Sequence, residues 1–192
     1  MQLKDNKSAQ KVSMATLAGG CFWCTEAVFK RLKGVEKVIS GYAGGKVNNA
    51  TYLQVSIGET GHAEAIQITF DPLVISYETL LEVFWKLHDP TTVNRQGADV
   101  GNEYRSIIFY HNKIQQQIAE KSKENLEKSG FYDSSIVTQI IPFREFFPAE
   151  DYHQDYYEKN AGAFYCKVVI DPKIAKLTKE YGDLVKSEEK VV

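Results

Sequence analysis

No stretch of this 192-residue chain is apolar for long enough to cross a bilayer, so nothing in it reads as a membrane-spanning helix. It has no block of one charge either: the formal net charge is −2, and both signs are interspersed. A nucleic-acid partner, which a basic stripe would announce, is therefore not expected. The opening Met1-Gln2-Leu3-Lys4-Asp5-Asn6-Lys7 has no apolar h-region. No signal peptide is read, and a cytoplasmic location is expected. Cysteine is scarce: three residues, an odd number that suits no disulfide framework. Two of them, Cys21 and Cys24, form a CxxC pair, which points to redox chemistry in a reducing compartment. A zinc site would need about four ligands, and Cys166 supplies no second pair, so neither a metal nor a cofactor is expected.

What the chain does have is enough apolar residue, 43%, for a full core. One domain is expected over 1–192, with a flexible leader at about 1–12, a core at about 13–170 and a tail helix at about 171–192. The most informative string is Gly19-Gly20-Cys21-Phe22-Trp23-Cys24. It puts a thiol where a short strand ends and a helix begins. Unpaired N–H groups and the positive end of the helix dipole favour a thiolate there, and the thiolate is the reactive form. Cys21 is thus the candidate nucleophile.

Around it, Met14–Ala18 reads as a buried strand and Phe22–Leu32 as a helix with Cys24, Ala27, Val28 and Leu32 on one face. Val35–Tyr42 is a strand. In residues 62–70 His62, Glu64, Ile66, Ile68 and Phe70 alternate with smaller or polar neighbours, the pattern of a half-buried strand. Ser76 caps a second helix that stops at Asp89-Pro90. Thr91–Tyr104 is a polar loop of functional length. Ser106–Tyr110 is a strand, and Asn112–Lys128 a helix with Ile114, Ile118 and Leu126 on its apolar side. Ile136–Ile141 is a strand and Ala149–Lys159 a short helix. Cys166–Ile170 is an apolar run of strand type, and Lys173–Lys186 a solvated surface helix. Such alternation gives a sheet with helices packed on it, an α/β or α+β domain.

The run Gly20-Cys21-Phe22-Trp23 resembles the active-site signature of the peptide methionine sulfoxide reductase A family. Further strings follow in the family's order: Gly41-Tyr42-Ala43-Gly44-Gly45, Gly61-His62-Ala63-Glu64-Ala65, His88-Asp89-Pro90-Thr91, and Arg95 to Gly101 running into Tyr104-Arg105-Ser106. The resemblance covers roughly residues 14 to 170. It implies a two-layer sandwich with a mixed sheet, a ferredoxin-like core and a long coil-rich C-terminal segment. It also implies reduction of methionine-S-sulfoxide, free or in proteins, with thioredoxin as reductant and the chain acting as a monomer. Repair by one enzyme per sulfoxide epimer is the reverse arm of methionine oxidation.

Roles follow from the resemblance residue by residue. Cys21 attacks the sulfoxide sulfur and is left as a sulfenic acid. Glu64 is the acid that protonates the sulfoxide oxygen. Its place on an apolar strand face would desolvate the carboxyl and keep it protonated near neutral pH. Tyr42 and Tyr104 match phenols that hydrogen-bond that oxygen. Asp99 matches an aspartate near the cysteine, and His62 either orients Glu64 or is structural. Phe22 and Trp23 grip the substrate methyl group. The aromatic group Phe143, Phe146, Phe147, Tyr152, Tyr156 and Tyr157 either lines the mouth or packs under coil. Cys24 and Cys166 both remain candidates for the resolving thiol, beside direct reduction from outside. A second reading of the CxxC pair is a thioredoxin-like dithiol oxidoreductase or redox sensor, in which Glu64 has no part.

Overall fold

The computed structural model describes residues 12–187. Apart from Val12, the leader expected over 1–12 lies outside the described residues. Strand β1 (Ser13–Ala18) runs through Gly20 into helix α1 (Phe22–Phe29). Gly20 is the hinge of that turn: its φ is +84°, and a Cβ there would sit 2.5 Å from Cγ of Gln96. Only glycine meets both demands. Gly34, also at positive φ, ends the turn after α1 and opens β2 (Val35–Ala43).

A short α2 (Tyr52–Ser56) follows, with Thr51 and Gln54 forming a capping box. Then come β3 (Ala63–Phe70) and α3 (Tyr77–Leu87), the latter capped by the Ser76 side chain, which accepts from Thr79 N–H. The polar loop holds a small hairpin, β4 (Arg95–Gln96) with β5 (Asp99–Val100), and a 3-10 turn at Asn102–Tyr104. Next are β6 (Ile107–Tyr110), α4 (Lys113–Lys128), β7 (Gln139–Pro142) and β8 (Phe146–Pro148).

Six strands form one mixed sheet in the order β7-β6-β1-β3-β2-β8. Only β6 and β7 run parallel; every other pair is antiparallel. The main core lies on one face, where Ile66, Ile68 and Phe70 of β3 meet Phe22, Phe29 and Leu80 of the helices. Ala63, Ala65, Ile107 and Phe109 face the other side, in a smaller cluster closed by Phe143 and Phe146. Period-two alternation along β3 therefore puts Glu64 on the helix-covered face.

Several elements differ from the expectation. Helix α1 buries every residue but Trp23, not one stripe, because the C-terminal segment covers the side turned away from the sheet. In α4 Ile114 is exposed, while Gln115 and Ala119 are buried. Gln115 fits because its amide donates to Met14 O and accepts from His111 N–H. Ala149–Lys159 is not one helix: a 3-10 turn (Asp151–His153) and α5 (Tyr156–Asn160) are separated by Asp155 in the left-handed region. Cys166–Ile170 is not a strand but a π-helical turn leading into α6 (Asp171–Tyr181). The main sheet needs no strand there, since β8 already covers the β2 edge. Helix α6 is not merely solvated: Leu177 is buried in the main core, and Val185 beyond it bridges to Leu32. No helix among the described residues is long and apolar enough to cross a membrane.

Candidate active site

Cys21 is the N-cap of α1 and is 7% exposed. The residue after it supplies the central contact: Phe22 N–H donates to Glu64 Oε2 at 2.9 Å. One of the orphan donors of the helix start is thereby spent on Glu64. Glu64 itself is 3% exposed. Burial pushes its carboxyl up to about 8, opposed in part by the Phe22 bond and reinforced by Asp99 and Glu103 nearby. It is an acid at neutral pH, held at the end of a paired strand.

The expected depression of the Cys21 thiol does not occur. Burial raises it well above the ordinary thiol value, the hydrogen bond it shares with Cys24 and the charge of Glu64 raise it further, and the Phe22 N–H is already taken. Cys24 moves the other way, to about 7, chiefly through that same bond from Cys21. The two thiols are coupled through this bond, which raises Cys21 and lowers Cys24.

Among the candidate donors, Tyr42 stands opposite Glu64 in the β2–β3 ladder. Its ring is fully buried and its hydroxyl donates to Glu150 Oε2 at 2.9 Å. The phenol is therefore committed to a protein acceptor. The other Glu150 oxygen accepts from Tyr52 N–H at 2.9 Å, so Tyr42 and Glu150 together pin the start of α2. This brings in Tyr52, which the sequence reading missed. Burial holds its phenol up at about 12, and Glu64 and Cys21 are the charges it feels next. Tyr104 is raised by burial and then by Glu64, Tyr52 and Cys21. Tyr52 and Tyr104, both half-buried, are the phenols whose surroundings include both Glu64 and Cys21.

His62 does not act on Glu64. Its Nδ1 accepts from Gly45 N–H and its Nε2–H donates to Val47 O, so both nitrogens hold the loop after β2. Asp99 lies near the cysteines, where its Oδ2 accepts from the Tyr165 hydroxyl at 3.0 Å. Phe22 is buried against Tyr42 and His153. Trp23 is half-buried, stacks on Tyr156 at 3.6 Å and donates from its indole N–H to His153 Nδ1 at 3.0 Å. Of the C-terminal aromatics Tyr152 packs on His153, and Tyr156 and Tyr157 pack beside the cysteines. Phe143 stacks on His111, Phe147 packs on His62, and Tyr157 bonds Asp171. Cys166 is fully buried yet packs with Cys21, Cys24 and Ala27, so the fold collects all three cysteines, all free, in one cluster.

The sequence signals for Tyr52 and His153 were weak. Tyr52 follows a capping threonine after a loop, and His153 lies in a coil whose neighbours only the fold supplies.

A family profile described as peptide methionine sulfoxide reductase matches residues 13–184. The chain is 56% identical over 172 residues to a peptide methionine sulfoxide reductase MsrA of Sulfolobus acidocaldarius, covering 90% of this chain and 97% of that protein. In structure it resembles reduced Mxr1 from Saccharomyces cerevisiae, with a TM-score of 0.77 and 36% identity over 83% of this chain and 91% of that one. It also resembles Mxr1 in complex with Trx2, with a TM-score of 0.55 and 29% identity over 78% of this chain and 87% of that one. A buried acid beside a thiol pair, on a fold matched over nearly its whole length, leads to one conclusion: the chain belongs to the peptide methionine sulfoxide reductase A family and has its activity, the reduction of methionine sulfoxide.

Proposed function

We propose that the protein reduces the S epimer of methionine sulfoxide, free or in proteins, through Cys21 as nucleophile and Glu64 as acid. The observation that carries this is the Glu64 carboxyl, protonated at neutral pH and hydrogen-bonded to the backbone N–H directly after Cys21. Sulfoxide oxygen is a poor leaving group until it gains a proton, and Glu64 has one to give. With Oε2 accepting from Phe22, Oε1 is the oxygen that carries the proton.

As the Cys21 sulfur bonds to the substrate sulfur, its own proton passes to the Cys24 thiolate. The Glu64 proton goes to the oxygen, which moves to the Cys21 sulfur as the substrate S–O bond and the new bond between the two sulfurs both break, leaving an electron pair on the methionine sulfur. The products are methionine and a Cys21 sulfenic acid. Tyr52 and Tyr104 donate to the oxygen while charge builds on it; Tyr42 supports this through Glu150. Trp23 offers an aromatic wall to the methyl group, with Phe22 packed behind it. The other epimer would turn its oxygen away from these donors.

Cys24 then attacks the sulfenic acid, giving a Cys21–Cys24 disulfide and water. Its position three residues along the first helical turn and its lowered pKa favour it over Cys166, whose thiol burial pushes up. A thioredoxin-type dithiol reduces the disulfide; the complex of the structural relative Mxr1 with Trx2 supports this partner. The reading takes the chain as a monomer, and a CxxC pair with one further cysteine suits a reducing compartment such as the cytoplasm.

Racemic N-capped methionine sulfoxide with dithiothreitol, resolved on a chiral column, tests the reading. Loss of the S epimer with the R epimer left intact is expected. Survival of both epimers, with reduction of insulin disulfides by Cys21 and Cys24, would replace it with the dithiol reading.

A further inference from the structure

The sequence treats Tyr165 as one of eleven tyrosines, and the reduction of the sulfoxide does not use it. Its hydroxyl nevertheless joins two groups of the site. It donates to Asp99 Oδ2 at 3.0 Å, and Cys24 Sγ lies 3.7 Å from the same oxygen. A phenol has one hydrogen, and the carboxylate is the stronger acceptor. The contact to Cys24 can run either way: Tyr165 donates to a Cys24 thiolate, and a protonated Cys24 donates to the phenol oxygen. Once Cys24 has taken up a proton, the chain reads Cys24 S–H, Tyr165 O–H, Asp99 carboxylate.

Both ends of this chain are held. The Tyr165 ring stands edge-on to Trp23 at 5.7 Å, and the next residue, Cys166, is fully buried in the cysteine cluster. Asp99 pairs with Gln96 in the β4–β5 hairpin, and the Gln96 amide bonds the Asp89 backbone in both directions. Asp99 is half-buried, so its carboxylate still reaches solvent.

We propose that Tyr165 is a positioning residue for the second half-reaction, carrying the Cys24 thiol proton to Asp99 as Cys24 attacks the Cys21 sulfenic acid. The proposal rests on the reading of Cys24 as the resolving thiol. Its balance is simple. After the first half-reaction Cys24 holds the proton that came from Cys21. That proton moves to Tyr165 oxygen while the Tyr165 proton moves to Asp99, which returns it to solvent. The Cys24 sulfur pair forms the S–S bond and the Cys21 S–O bond breaks. The leaving hydroxide takes a proton from Glu64, itself reprotonated from solvent. One disulfide and one water result.

The test is Tyr165→Phe, which keeps the ring and its packing and removes the hydroxyl. Reduced enzyme is mixed with one equivalent of substrate and no reductant. Methionine release, sulfenic acid trapped by dimedone, and loss of free thiols are followed separately, in H2O and D2O. Disulfide formation is expected to slow about tenfold or more while sulfenic acid accumulates, and the solvent isotope effect on that step is expected to fall. A purely structural role would leave the isotope effect unchanged. A Cys21–Cys24 disulfide forming at the wild-type rate in Tyr165→Phe overturns the relay alone. Peptide mapping that finds Cys21–Cys166 in the wild-type enzyme overturns the reading of Cys24, and this proposal with it.

Discussion

The end of β3 and the C-terminal segment meet at Cys21 but are built in opposite ways. Strand β3 is paired along both edges over residues 66–70, and at Glu64 it is laddered to β2, opposite Tyr42. The segment between β8 and α6 has only short turns of its own. It is fastened by side chains: the Gln154 amide holds the Ser40 backbone, Asp155 N–H donates to Glu26, and Lys30 pairs with Asp155. The acid that must stay dry and fixed is thus on the rigid side. Tyr165 and Cys166 lie in the C-terminal segment, which has no sheet ladder of its own and where local opening costs least. Oxygen transfer asks for preorganisation; a disulfide that must meet a second protein asks for access.

The strongest test of the rigid side is to remove its chemistry. Cys21→Ser is expected to abolish methionine formation with any reductant, read by single-turnover assay. Glu64→Gln should lower the rate of sulfenic acid formation by about 10²–10⁴-fold, the usual worth of a positioned acid. The wild-type rate should hold at neutral pH and fall as pH rises through about 8, where the Glu64 proton is lost, and the variant should lack that alkaline limb. The same raised carboxyl makes folding hold a proton that the unfolded chain releases. Its contribution to stability is complete below the ordinary value of 4.5 and is lost as pH climbs toward about 8.

Regeneration should break separately. Cys24→Ser is expected to keep turnover with dithiothreitol at a rate lowered about tenfold, since the proton acceptor for Cys21 is gone, and to lose turnover with thioredoxin. Cys166→Ser should keep both. If thioredoxin-supported turnover instead vanished in Cys166→Ser, the resolving role would pass to the C-terminal segment. A smaller effect separates the tyrosines: Tyr52→Phe should cost about tenfold or more in kcat as one oxygen donor is lost, with Tyr42→Phe costing less because its hydroxyl acts through Glu150. The smallest change is Lys30→Ala. The ion pair it removes is partly exposed, 29% and 50% for the two side chains, so about 0–1 kcal/mol of stability is expected by urea titration. Hydrogen exchange should quicken in the segment around Asp155 and leave β3 unchanged.

Much of the first region was legible before folding. Alternation in Ala63–Phe70 put Glu64 on the apolar face, and Gly-Gly before Cys21 marked the strand-to-helix turn. Local pattern failed where the signal was not local. Lys167-Val168-Val169-Ile170 has strand composition but lies outside the sheet, and a burial stripe in α4 runs through Gln115 because the distant Met14 carbonyl accepts from its amide. Tyr42 and Tyr52 are both tyrosines near glycine-rich loops; only the position of Glu150, about a hundred residues on, decides which hydroxyl is free. The thiol pair shows the same limit: a helix start favours thiolate, but burial and a competing acceptor for the Phe22 N–H reverse it at Cys21.

The sequence by itself determined the family through its motifs, and placed Cys21 and Glu64 on the strands and turns that carry them, because periodicity and glycine geometry act over a few residues. The tertiary structure alone decided which tyrosine is bound to Glu150, which thiols are coupled and what covers the site. Those are questions of burial and proton sharing between groups brought together from opposite ends of the chain.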